Sequence, residues 1–315
     1  MGSRLMKRFG TWVAVSALCG SMLTLVVGVA TPMSAQASSS KTYYVSLGDS
    51  YSVGYQPNTS KPQTGHASNG YTVPVSKAVK MTLVNFGCAG ATTTSILDTI
   101  GCPAVLPNTA GGQKYPTQTQ IAAADAFISG HKGHIGLITV SISGNDVTAC
   151  VKQATPIPCV AAATASITEN VATLATDLRA AAGPNVPLVG LTYPDVVLGT
   201  YVYPQNPGTI AAKALAGLSV TAFKSLINPA LSVAYGNAQG VLVDVTKGEG
   251  SYVSLDKTVK TKTYGTIPVA VGSICTLTWY CKYGNIHQKT PGYSLEAVLI
   301  VKQYASMMKS MKMNG

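Results

Sequence analysis

Apolar, β-branched runs recur along the chain at residues 43–47, 82–86, 135–142, 186–191 and 240–245. Each is short and bounded by Gly, Pro, Asn or Asp, so each reads as a strand buried on both faces. Between them, residues 118–128, 167–182, 210–235 and 295–308 carry helical spacing or a helix-favouring composition rich in Ala and Leu. Strands separated by helices pair in parallel, and the helices then cover both faces of the sheet. The pattern predicts an α/β protein, a doubly wound three-layer α/β/α domain. Gly, Pro, Asn and Thr concentrate at 56–69, 102–115 and 247–285, which read as long loops rimming a cleft. No repeat or linker interrupts residues 38–315, so they read as one domain, large enough to bury about three quarters of its unfolded surface.

The first residues follow a different pattern. Arg4, Lys7 and Arg8 precede an uncharged apolar stretch over 11–30, and the small-residue pattern Ala35-Gln36-Ala37 follows it. This is the layout of a secretory signal peptide spanning residues 1–37, with Ser38 as the mature start. Cys19 lies in the stretch, but Leu18 stands where a lipid-modified cysteine follows a small residue, so a lipoprotein anchor is set aside. No second run stands out as long enough to cross a bilayer. The expectation is a secreted, extracellular monomer with no stable membrane insertion after cleavage.

Export changes how the cysteines are read. Cys88, Cys102, Cys150, Cys159, Cys275 and Cys281 form an even set in an oxidising compartment. Fifteen pairings are possible, but the six fall into three close couples, which predicts Cys88–Cys102, Cys150–Cys159 and Cys275–Cys281. Such short loops contribute about 3 kcal/mol each in the chain-entropy picture, so they read as loop staples. No Cys-x-x-Cys or Cys/His cluster has zinc spacing, and His131 and His134 lack a nearby carboxylate or cysteine, so neither metal nor cofactor is expected. The formal charge of +11 includes the three cations of the leader, and the lysines are dispersed. Lys257, Lys260 and Lys262 cluster without aromatics or arginines, which argues against a nucleic-acid partner.

Candidate chemistry sits where strands end. The first strand runs into Gly48-Asp49-Ser50, the second into Gly87-Cys88-Ala89-Gly90, and the third into Gly144-Asn145-Asp146. Carboxyl ends of parallel strands converge on one crevice, so Ser50 can meet Gly90 and Asn145 there. Gly-Asp-Ser alone is weak, because an ordinary strand-to-helix turn uses the same residues. Acyl transfer needs donors aimed at a developing oxyanion, and the backbone N–H groups of Ser50 and Gly90 with the Asn145 amide could supply three. His287, just before the last helix, is the best candidate base, whereas His66, His131 and His134 read as surface-loop residues. Trp279 reads equally well as a wall of the acyl pocket or as packing for its own loop. No Gly-x-Ser-x-Gly elbow appears, so an α/β-hydrolase assignment has nothing to rest on.

Taken jointly, Gly48-Asp49-Ser50, Gly90, Gly144-Asn145-Asp146 and His287 with Pro291-Gly292-Tyr293 resemble, in order, the four blocks of the SGNH (GDSL) hydrolases. The six cysteines resemble those of the secreted, disulfide-containing actinobacterial esterase and lipase branch. The resemblance implies a flavodoxin-like, five-stranded parallel sheet and an ester hydrolase with Ser50 as nucleophile. It further implies Gly90 and Asn145 as oxyanion donors and His287 as base, acting on a small-molecule, lipid or acylated-glycan ester. One position departs: the family places Asp three residues before the His, and here that residue is Gly284. Asn285 carries no charge, and the nearest carboxylates are Asp256 and Glu296. The expectation is therefore a Ser-His dyad in which the backbone carbonyl of Gly284 accepts the His287 Nδ1–H. The rival readings are a glycan or cell-wall O-acetyl esterase and a non-catalytic envelope or carbohydrate-binding protein on the same fold.

Overall fold

All five apolar runs fold as strands of one sheet. The computed structural model describes residues 42–153, 155–204 and 209–314, and the predicted signal peptide lies outside them. The chain runs through β1 (Tyr43–Gly48), a hairpin of β2 (Tyr55–Asn58) and β3 (Lys61–Ala67), α1 (Thr72–Val79), β4 (Thr82–Asn85), α2 (Thr93–Asp98), α3 (Gln120–Gly130) and β5 (Ile135–Ser141). It continues through α4 (Gly144–Thr148), α5 (Pro156–Ala182), β6 (Leu188–Leu191), α6 (Ile210–Ala222), α7 (Asn228–Asn237), β7 (Val241–Val243) and α8 (Val245–Gly248). A second hairpin of β8 (Thr258–Thr261) and β9 (Gly265–Pro268) leads into α9 (Val269–Leu277), α10 (Tyr280–Tyr283) and α11 (Thr290–Asn314).

The sheet order is β4-β1-β5-β6-β7, parallel throughout. Tyr44, Val45 and Leu47 of β1 and Leu137 and Val140 of β5 are fully buried, as central strands covered on both faces must be. Helix α1 packs against α11, and α3, α5 and α7 pack in a row, so the crossovers cover the sheet with two separate helix layers. The three layers, the doubly wound order and the five strands are as the pattern predicted.

The long loops are more structured than expected. Residues 56–69 contain most of the β2–β3 hairpin, and 247–285 contain β8, β9, α9 and α10. The hairpins escaped notice because they are largely exposed and polar, so neither presents an apolar run. Besides the main core around the sheet, a second apolar cluster joins Leu198 and Val202, Ala216 of α6, and Ile267, Ala270, Val271, Ile274 and Cys281. All three disulfides pair as the spacing suggested, Cys88–Cys102, Cys150–Cys159 and Cys275–Cys281.

One sequence reading needs correction. Residues 210–237 form a single helix long and apolar enough to cross a membrane, because α6 and α7 continue through a π turn at Phe223–Ile227. The polar Ser, Thr, Lys and Asn residues scattered through it disguised the run. Its buried residues Phe223, Ile227, Leu231, Ala234 and Tyr235 belong to the main core and Ala216 to the second, as in a layer helix.

Candidate active site

Ser50 stands where the strand order reverses, between β1 and β5, the crevice that binds ligands in open α/β sheets. Its approach depends on Gly48, whose φ is +132° and where any Cβ would lie 2.0 Å from the Ser141 carbonyl oxygen. Only glycine lets the end of β1 press against the end of β5; the Asp49 N–H then donates to that same carbonyl at 3.0 Å. The next turn presents the Ser50 hydroxyl, and the residue is only 5% exposed.

His287 arrives from the other end of the chain, and its Nε2 lies 2.8 Å from Ser50 Oγ. The segment carrying it is pinned at several points. Trp279 N–H donates to the His287 carbonyl at 2.9 Å, and Lys289 N–H donates to Leu277 at 2.7 Å. The Lys289 ammonium donates to the Cys275 carbonyl at 2.5 Å, and the Tyr51 hydroxyl donates to the Ile286 carbonyl. The imidazole lies against the Tyr55 ring, with centroids 4.0 Å apart. Burial pushes the His287 pKa well below the ordinary imidazole value, so the ring is neutral and its nitrogens differ.

The partner of Nδ1 is not the one expected. The Asn285 side-chain oxygen lies 2.8 Å from Nδ1 and also accepts the His287 backbone N–H at 3.1 Å, whereas Gly284 lines a neighbouring cavity. A short Asn side chain folds back over its own turn in this way. Its other end is spoken for, because Asn285 Nδ2 donates to the Pro62 carbonyl at 3.4 Å, which leaves the oxygen facing the ring. With Asn285 Oδ1 as acceptor, Nδ1 carries the proton and the Nε2 lone pair faces Ser50. Asp256 lies exposed beside Ser254, and Glu296 is buried against Gln288, so neither carboxylate orients the imidazole.

Of the groups expected to bind an oxyanion, Ser50 and Asn145 line one cavity, and Gly90 precedes Ala91, whose carbonyl accepts from the Asn145 amide. Gly90 has φ +79° and nothing within 4 Å of the place a Cβ would occupy, so glycine is needed there for the backbone conformation, and the space beside it is open. Among the described residues, the backbone N–H groups of Ser50 and Gly90 have no acceptor. The Asn145 amide is engaged, donating to the Ala91 carbonyl at 2.8 Å and to Asp49 Oδ2 at 3.2 Å. Asp49 also accepts from the Tyr193 hydroxyl at 2.6 Å and from Tyr51 N–H at 2.9 Å, and burial raises its pKa to about 7. Asp146 accepts from Thr93 N–H at 3.1 Å and Thr93 Oγ1 at 2.6 Å, joining α4 to α2. That tie and the Cys88–Cys102 bridge brace the Gly90 turn from both sides.

The remaining candidates fall elsewhere. His66 faces Asn58 within the exposed hairpin, and His131 stacks on Phe127. Trp279 stacks on Tyr283 and packs its own loop. Among the described residues no three His, Cys, Asp or Glu side chains converge as metal ligands. Sequence reasoning missed Tyr193 and Asn285. Tyr193 stands just past the end of β6, the position that singles out Ser50, and Asn285 carries no charge, the one feature by which a sequence marks the acid of a triad.

Beside Ser50 lies a cavity of about 320 Å³ walled by α5, the turn Val196–Tyr201 and helix α6. No protein-family model and no curated protein matches the chain. Among solved structures, the chain is similar to phospholipase A1 from Streptomyces albidoflavus, with 20% identity over 74% of this chain and 94% of that one and a TM-score of 0.43. It is also similar to an extracellular lipase from Streptomyces rimosus, with 18% identity over 83% of this chain and 98% of that one and a TM-score of 0.46.

Proposed function

We propose that the protein is an exported serine hydrolase of the SGNH type that cleaves carboxylic esters through an acyl-Ser50 intermediate. The observation that carries this reading is the relay Ser50 Oγ to His287 Nε2 at 2.8 Å, with His287 Nδ1 held by Asn285 Oδ1 at 2.8 Å. Neutral His287 takes the Ser50 proton as the oxygen attacks the ester carbonyl. The N–H groups of Ser50 and Gly90 receive the oxyanion, and Asn145 adds a third donor by releasing its longer bond, the one to Asp49. The imidazolium then returns its proton to the leaving alkoxide, and water repeats the sequence on the acyl-serine. Asn285 supplies orientation without charge, a part asparagine plays in other hydrolase triads. Export accords with the predicted leader and with three disulfides, which persist in oxidising compartments.

The test is covalent labelling together with turnover. A small organophosphonate is expected to modify Ser50, and Ser50→Ala and His287→Ala are each expected to lower kcat on a nitrophenyl ester by on the order of 10⁴-fold or more. An intact, disulfide-bonded protein that neither reacts at Ser50 nor hydrolyses any ester would instead be a binding protein on this fold.

A further inference from the structure

We propose that the cavity beside Ser50 holds the acyl chain of the ester and makes the protein selective for medium-length acyl groups, about eight to twelve carbons, over acetate. This deepens the hydrolase reading and rests on it.

The wall is apolar. Ile157 and Val160 of α5, Val197 of the following turn, and Leu215, Ala222 and Phe223 of the long helix supply most of its character. Among the described residues no Lys, Arg or His lies on it. Apart from Ser50 and Tyr280, the hydroxyls that border it are turned into the protein: Thr148 donates to Gly144 at 2.8 Å, Tyr193 to Asp49 at 2.6 Å, Ser219 to Asp195 at 2.9 Å and Tyr51 to Ile286. A sugar placed here would leave most of its own hydroxyls without partners, and a buried unpaired hydroxyl is strongly disfavoured. A hydrocarbon chain meets no such cost.

The direction of the ester follows from the base. The leaving alkoxide must take its proton from His287 Nε2, so the alcohol lies on the imidazole side of Ser50. The imidazole is not part of the cavity wall, while Ser50 and Asn145 are. The cavity is therefore on the acyl side. Its size sets the length: an apolar cavity of about 150 Å³ accommodates the six carbons of benzene. At about 320 Å³ this one holds roughly twice as many.

Nitrophenyl esters from acetate to palmitate, with purified disulfide-intact protein, test the idea. kcat/KM is expected to rise about fourfold per methylene, reaching on the order of 10³-fold over acetate by octanoate and levelling near twelve carbons. Ala222→Phe, which fills the cavity, is expected to move the optimum to shorter chains, and Phe223→Ala to move it to longer ones. Should either variant misfold, labelling rates of Ser50 in the native protein with alkyl phosphonates of increasing length report the same preference. A profile flat with length or confined to acetate, or an optimum that ignores both substitutions, overturns the assignment; hydrolysis confined to acetylated glycan does so in favour of carbohydrate. Failure of the hydrolase reading looks different: Ser50 would resist even the smallest phosphonate, or Ser50→Ala would retain full turnover.

Discussion

Ser50 and His287 are only one hydrogen bond apart, yet the two regions that deliver them are built by different means. Ser50 follows a central strand whose residues Tyr44, Val45 and Leu47 are fully buried, so its position is spread over many apolar contacts in the main core. His287 rides on a segment between two helices, held by a few directed bonds, a disulfide and a small second core. A position set by many weak contacts degrades gradually, whereas one set by few strong contacts can be released by a single change. The His287 side should therefore be the half that single substitutions dismantle while the fold survives.

Beyond Ser50 and His287 themselves, the largest effect is expected at Asn285. Asn285→Ala removes the acceptor for Nδ1, freeing the ring to rotate and to adopt the wrong tautomer, and should lower kcat on the order of 10²-fold with KM little changed. That is less than the roughly 10⁴-fold seen when a triad is locked in the wrong tautomer, because the right one remains accessible. Asn285→Asp should retain activity, since a carboxylate accepts the same proton and stabilises the imidazolium better. Steady-state kinetics on a nitrophenyl ester decide between them. Full turnover in Asn285→Ala would return the orienting part to a backbone carbonyl.

The same contrast explains what could be read from the sequence. Strand runs and the three blocks at their ends are visible because burial on both faces demands continuous apolar residues and because parallel strands bring their carboxyl ends together; Ser50, Gly90 and Asn145 were found that way. The close spacing of the cysteines gave the three couples. The His287 side carries no comparable periodicity. Its hairpin β8–β9 is exposed, α9 and α10 are short, and the orienting contact depends on Asn285 folding back over its own turn. Asn145 shows a subtler limit: its place was legible, but its bonds to Ala91 and Asp49 depend on tertiary geometry.

Removing disulfides sharpens the comparison in stability and in turnover separately. Cys275–Cys281 closes a separation of 6 residues and Cys150–Cys159 one of 9, so the chain-entropy picture gives both a contribution of about 2–3 kcal/mol. The double Cys→Ser variants should thus lose similar amounts in urea unfolding. Only the first should also lose kcat, by roughly tenfold, because Cys275 accepts from Lys289 and its bridge partner Cys281 lies in the second core. Equal effects on kcat would mean that the staple supports the fold and not the imidazole.

The smallest expected effect tests how the His287 segment is anchored from below. Gln288, fully buried, donates through Nε2 to Glu249 and, at 3.0 Å, to Glu296, while Glu249 Oε2 and Glu296 Oε2 are buried without partners among the described residues. Burial raises the Glu249 pKa to about 8; burial, and then the neighbouring Glu249, raise that of Glu296 well above its usual range. Unfolded glutamates titrate near 4.5, so from about pH 4.5 to 8 the unfolded chain releases protons that the folded one keeps, and stability falls as pH rises through that window. Asp49 and Asp195, both raised to about 7 by burial, act with the same sign. His287 opposes them only below about 6.5, where the unfolded ring gains a proton that the folded ring refuses. The thermal midpoint should accordingly be a few degrees higher at pH 5.5 than at pH 8.5, at roughly 2–4 °C per kcal/mol for a domain of this size. Glu249→Gln keeps an acceptor for Gln288 but cannot titrate, so calorimetry across that range should show a flatter slope. A midpoint that rose with pH would mean that these glutamates are ionised inside the fold, and that the His287 half is held by charge after all.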